Sequence, residues 1–224
     1  MKKFEPFADR LLPWLTCLTM FAALGMVFLY VPTERVQGVV QRVFYFHLPA
    51  AWMTFLGFFI VAGASAAFLW QGDRFSDLIA QAAAEVGMVF CSVVLITGSI
   101  WARPIWGVWW TWDPRLTMVA ILWTIYAAYV LLRTLAGDNE LIARYAAVLG
   151  IVGALDIPIL YIAVRLWRGI HPKVEGMAPE MAWTLLVCTG AFLCLFSWLL
   201  WLRLRNLHLR DEVTALRRQA LASS

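Results

Sequence analysis

Charge is what this sequence has least of. Only 14% of its 224 residues are Asp, Glu, Lys or Arg, and 62% are apolar; a soluble domain carries about 25% charged residues. Mean hydropathy is +0.75. A soluble fold of this size has no interior large enough to hide so much apolar surface, and a disordered chain needs the opposite composition. Lysine stands only at positions 2, 3 and 173, so there is no Walker A loop and no ATP-driven step of the chain's own. The four cysteines, Cys17, Cys91, Cys188 and Cys194, all fall in apolar runs, and none forms C-x-x-C. They read as small buried hydrophobes rather than as redox or zinc ligands. Internal repeats and low-complexity tracts are missing. No cleavable leader is expected either: Leu11–Val31 is 21 residues without a charge, too long for a signal h-region, and no A-x-A site closes it. It is expected to be a retained first span.

What the sequence has instead is long apolar runs. Six stand out: Leu11–Val31, Leu48–Trp70, Leu78–Trp101, Thr117–Leu132 (extending to Leu135), Tyr145–Val164 and Met181–Leu202. A bilayer core about 30 Å thick takes about 20 apolar residues per span. Backbone polar groups cannot stay unpaired in lipid, so each run must be helical. The expectation is an all-α, polytopic membrane protein with six transmembrane helices, in which residues 1–224 form a single membrane domain.

Six spans put both termini on one side. That side carries 11 Lys and Arg, the other 7, so both termini are expected in the cytoplasm of a bacterial inner membrane. The basic balance, with a pI near 9.0, reflects this membrane asymmetry and implies no nucleic acid. From Arg203 onward, Leu209, Val213 and Leu216 keep helical spacing, so residues 203–224 are expected to carry the sixth helix into the cytoplasm. Across Pro32–Phe46, Val36, Val40 and Val43 interleave with Glu34, Arg35 and Arg42, which predicts a short amphipathic helix on the membrane surface. Glu85 and Asp156 fall inside spans, where a carboxylate is costly and marks either a packing hydrogen bond or a function.

The chain has 13 tryptophans. Five of them crowd between positions 101 and 112, in the loop 101–117 on the side away from the termini, which reads Trp106-Gly107-Val108-Trp109-Trp110-Thr111-Trp112-Asp113-Pro114-Arg115. An interfacial belt would spread its indoles over several helix ends. Clustered indoles make a flat, π-rich platform suited to a large planar ligand. Arg103 and Arg115 flank the cluster, and guanidinium groups match carboxylates. A planar ligand with carboxylates describes haem and its propionates. Two of the three histidines, His47 before the second span and His171 between the fifth and sixth, fall on the same side, and imidazole is an axial ligand of haem iron. His208 falls on the opposite side, in the solvated tail.

The segment Trp106–Thr117 resembles the tryptophan-rich "WWD" signature of the haem-handling superfamily of cytochrome c biogenesis. The length, the six spans and one histidine on each flank are similar to the CcmC-type family of its system I branch, over nearly the whole chain. Tyr45-Phe46-His47-Leu48-Pro49 resembles the first histidine region, and Ile157-Pro158-Ile159 with Ile170-His171 the second; Pro172 and Lys173 depart from the pattern. The resemblance implies a haem-transport subunit rather than an enzyme, with assistance in the covalent attachment of haem to the chaperone as the one further role left open. It would hold haem b non-covalently at the periplasmic face and pass it to a periplasmic haem chaperone. Its partners would be an ABC-type ATPase, a second membrane subunit and a small single-span subunit, within membrane lipid. The implied site is His47 and His171 as axial ligands, Trp106, Trp109, Trp110 and Trp112 as platform, Arg103 and Arg115 on the propionates, and Asp113 orienting the loop or meeting the chaperone. The absence of C-x-x-C-H fits a cargo that is released. Weighed beside this are a cytochrome b-like electron-transfer subunit, disfavoured because no histidine lies at mid-span, and a longer haem-lyase relative with more spans. A metal-dependent polyprenol transferase is a third, for which Asp113 alone is a poor metal site.

Overall fold

Among the described residues, six long helices carry the chain. The computed structural model describes residues 5–136, 139–166 and 176–222. The helices are α1 (Glu5–Gly25), α2 (Phe44–Gln71), α3 (Arg74–Trp106), α4 (Pro114–Leu135), α5 (Glu140–Leu166) and α6 (Pro179–Ala222). A π-helical turn, Met26–Tyr30, prolongs α1. Each helix is long and apolar enough to cross a membrane. The six apolar runs therefore mark the six helices, and α4 does reach Leu135. The sixth helix runs without a break into the tail; its 44 residues at 1.5 Å each make a rod of about 66 Å, twice a bilayer core.

Local chemistry sets the boundaries. Gly72 takes φ +71° to end α2, and Asp73 accepts the Ser76 amide at 2.8 Å to start α3, so a two-residue link suffices. The Ser76 side chain and amide, both bonded to Asp73, hold its carboxyl below the usual range. Asn139 caps α5 through the Ile142 amide at 2.9 Å.

The amphipathic helix expected over Pro32–Phe46 does not form. Residues 39–43 make a single 3-10 turn that leads directly into α2. Before it, the Glu34 carboxylate accepts the amides of Val36 and Gln37, and Gly38 sits at φ +61°. A side chain that takes up backbone amides so close in sequence competes with the helix that would need them. The valine spacing was present, but the turn chemistry won.

Helices α2 and α3 pack along each other at the centre, with α4 and α5 on one flank and α1 and α6 on the other. The core is aromatic. Phe58 of α2 stacks on Tyr126 of α4 at 3.5 Å between ring centroids and 3° between planes. The Tyr126 hydroxyl donates to the Gly150 carbonyl of α5 at 2.8 Å. Gly87 makes room for this stack, because a Cβ there would lie 2.8 Å from the Phe58 ring. At the end that holds the termini, ion pairs tie the helices together. Arg133 (α4) meets Asp77 (α3) at 2.8 Å with both side chains almost fully buried. Arg74 bridges Asp77 and Asp211, Arg203 grips Glu85 through two nitrogens, and Arg205 meets Asp9. The opposite end carries the tryptophan cluster of residues 101–112.

Candidate functional site

At the tryptophan end, the start of α2, the end of α3, the start of α4 and the end of α5 converge on a cleft of about 190 Å³. His47, Leu48, Ala51, Trp52 and Phe55 line it from α2, one helical face at i, i+1, i+4, i+5 and i+8. Helix α3 supplies Val94, Gly98, Trp101, Ile105 and Trp106; α4 supplies Leu116 and Val119; α5 supplies Leu160 and Tyr161. Trp110 and Arg115 close the rim. The wall is apolar and aromatic, with an imidazole and a guanidinium as its principal polar groups.

His47 is held closely. Its Nδ1 lies 2.9 Å from the Thr97 hydroxyl of α3. The Trp101 ring meets the imidazole edge-on at 5.8 Å and 71°. A Cβ at Gly98 would lie 3.3 Å from His47 Cε1, so the ring packs directly against the glycine. Trp101 is itself fixed, its indole N–H donating to Gln37 at 2.9 Å and its ring resting edge-on against Phe44.

The site residues expected from sequence divide into three groups. His47, Trp106, Trp110 and Arg115 line the cleft together. Trp109 and Trp112 turn outward, 60% and 82% exposed, although Trp112 packs edge-on against Trp110 at 6.0 Å. Arg103 and Asp113 serve the loop itself. Arg103 donates to the Gly107 carbonyl where α3 ends, at a glycine with φ +78°. Asp113 is buried and caps α4, accepting the Arg115 amide at 2.9 Å, with Pro114 in the first turn. Together they fix the start and the finish of a seven-residue link, 107–113. His171 lies outside the described residues.

Sequence reasoning did not single out Trp52, Phe55, Thr97, Trp101 as a cleft residue, or Tyr161. The helical face that follows His47 was a usable signal for Trp52 and Phe55. For Thr97, 50 residues away within an apolar run, the sequence held none. The two intramembrane carboxylates also part company. Glu85 is taken up by Arg203, whereas Asp156 is only 6% exposed and its Oδ2 has no hydrogen-bond partner among the described residues.

This donor set fits haem: an apolar cleft walled by indoles, an imidazole held by its Nδ1 side, and an arginine at the rim. Fold and site together define an all-helical, multi-pass membrane protein with an indole-walled histidine cleft at one end. The family model described as heme exporter protein C matches residues 1–219. The chain is 34% identical over 223 residues to heme exporter protein C of Bradyrhizobium diazoefficiens, covering 96% of this chain and 85% of that one. To its Rhodobacter capsulatus counterpart it is 34% identical over 230 residues, covering 98% and 93%. To the protein of that name in Escherichia coli K12 it is 32% identical over 209 residues, covering 90% and 85%. The chain belongs to the heme exporter protein C family.

Proposed function

We propose that this chain is the haem-handling subunit of a bacterial inner-membrane system for cytochrome c biogenesis. It holds haem at the periplasmic face and yields it to a periplasmic haem chaperone. One observation carries the reading: His47 lines an apolar cleft together with Trp101, Trp106, Trp110 and Arg115, at the end of the bundle away from both termini.

Each group has a task that its chemistry suits. The cleft's indoles bury the flat face of the cargo and exclude water, so that burial gives affinity without a covalent bond. His47 supplies one axial imidazole, and His171 the second. Arg115 at the rim meets a propionate. Trp109 and Trp112, directed away from the cleft, give the incoming chaperone an apolar landing surface, since exposed aromatic patches mark interaction sites. Asp113 and Arg103 hold that surface in place through their helix-terminal bonds. Haem b remains non-covalent and therefore transferable. Energy for the cycle comes from an ABC-type ATPase on another chain, working with a second membrane subunit and a small single-span subunit.

The test separates the two sets of indoles. Trp106→Leu with Trp110→Leu is expected to strip haem from the purified chain. Trp109→Ser with Trp112→Ser is expected to leave haem content at the wild-type level while haem no longer appears on the co-expressed chaperone. Loss of haem from the Trp109/Trp112 pair, or retention in the Trp106/Trp110 pair, contradicts the division.

A further inference from the structure

We propose that Thr97 is a positioning residue that sets the tautomer of His47, fixing the ring proton on Nδ1 and the lone pair on Nε2, the form in which the imidazole can ligate iron. The inference rests on the haem-binding reading above and specifies how that ligand is made ready.

In a neutral ring the geometry allows only one distribution of protons. The Thr97 hydroxyl lies 2.6 Å from the Val93 carbonyl, one turn back in α3. It also lies 2.9 Å from His47 Nδ1. A hydroxyl has one proton and two lone pairs. A carbonyl oxygen has no proton to give, so an approach of 2.6 Å commits the hydroxyl proton to Val93. The contact with His47 must then be made with the ring's proton: Nδ1–H donates and Thr97 Oγ1 accepts. In a neutral imidazole that leaves Nε2 as the nitrogen with the lone pair. Metal-bound histidines are oriented by such a bond from the other ring nitrogen, and the partner is usually a carboxylate, a backbone carbonyl or water. Here a hydroxyl whose own proton is spent on the helix backbone plays the part of a pure acceptor. Gly98 and Trp101, on the same stretch of α3, pack against the ring, Gly98 beside its Cε1 and Trp101 in an edge-on contact, so the hydrogen bond sets the proton and packing sets the plane.

The experiment uses the full-length chain in detergent with 15N-labelled histidine, free of haem. The signals of three histidines are assigned by subtraction with His47→Ala. Wild type is expected to show a proton-bearing Nδ1 and a pyridine-like Nε2 at His47. Thr97→Ser is expected to keep this pattern, and Thr97→Val to lose it. Haem titration of the same samples is expected to give near-wild-type affinity for Thr97→Ser and, for Thr97→Val, a loss of about 10–100-fold, the usual effect of removing an outer partner of a metal ligand. If Thr97→Val does not accumulate, Thr97→Ala replaces it, and the wild-type tautomer is read without any Thr97 variant. A proton on Nε2 in the wild type, or a Thr97→Val chain unchanged in tautomer and affinity, overturns the positioning role alone. If wild type shows the expected tautomer but His47→Ala leaves haem binding unchanged, ligation by His47 is overturned, and the role of Thr97 with it.

Discussion

His47 stands in the first turn of α2, and three residues of α3, Thr97, Gly98 and Trp101, pack around its ring. Gly98 is the most exposed to test. An added Cβ would sit 3.3 Å from His47 Cε1, tighter than comfortable van der Waals contact. Alanine also stabilises a helix interior by about 1 kcal/mol over glycine. Gly98→Ala is therefore expected to keep or raise thermal stability in detergent while weakening haem binding by about tenfold. Gly190→Ala, where a Cβ meets nothing within 4 Å, is the control and is expected to leave haem binding unchanged; equal haem affinities in the two variants would contradict the packing of His47 against α3. Much at this scale could be read from the sequence. The indole cluster and His47 announce themselves by composition and by side of the membrane. The division between Trp106 and Trp110 within the cleft and Trp109 and Trp112 outside it could not be read, because it depends on where Gly107 turns the chain.

At the scale of the element, the loop between α3 and α4 is as much a pair of helix ends as a binding surface. Asp113 was expected either to orient the loop or to meet a partner; the structure shows it buried and capping α4. Asp113→Ala is expected to lower stability by about 0.5–2 kcal/mol, and Asp113→Ser or Asp113→Asn far less, since each can still accept the amide bond. Thermal unfolding of the detergent-purified variants measures this. A second element-scale prediction concerns α3 and α4 at the other end. Arg133 and Asp77 are almost fully buried, and removing one member of such a pair leaves an uncompensated charge at a cost of about 3–5 kcal/mol. Arg133→Leu is expected to reduce yield and melting temperature sharply, and the double variant with Asp77→Leu to recover part of the loss; a double variant no better than the single would contradict the pairing. The long helices were legible because lipid forces every apolar run into a helix. The 32–46 segment was misread because periodicity carries no information about a glutamate that bonds the amides two and three residues ahead.

For the whole molecule, the two ends differ in kind. One is cross-tied by ion pairs that join α1, α3, α4 and α6; the other is aromatic and holds the cleft. Several basic residues that set the predicted orientation, Arg74, Arg133, Arg203 and Arg205, are bound to carboxylates, but orientation follows Lys and Arg counts rather than net charge. A reporter fused after Ser224 is therefore expected to read cytoplasmic, and one inserted between Gly107 and Val108 periplasmic; the reverse pattern would place the cleft on the wrong side for a periplasmic hand-over. Architecture was readable at this scale from run length alone. The contacts between helices were not: the meeting of residue 47 with residue 97, which builds the site, follows from how α2 and α3 align after a two-residue turn.

The most direct test of a histidine-ligated outer haem site is the absorption spectrum of the detergent-purified chain loaded with haem, compared across wild type, His47→Ala, His171→Ala and His208→Ala. The expected result is a sharp six-coordinate spectrum in wild type and His208→Ala that is shifted or lost in both other variants. A wild-type chain that takes up no haem, or a spectrum indifferent to His47, would contradict it and leave the tryptophan end as a protein-docking surface.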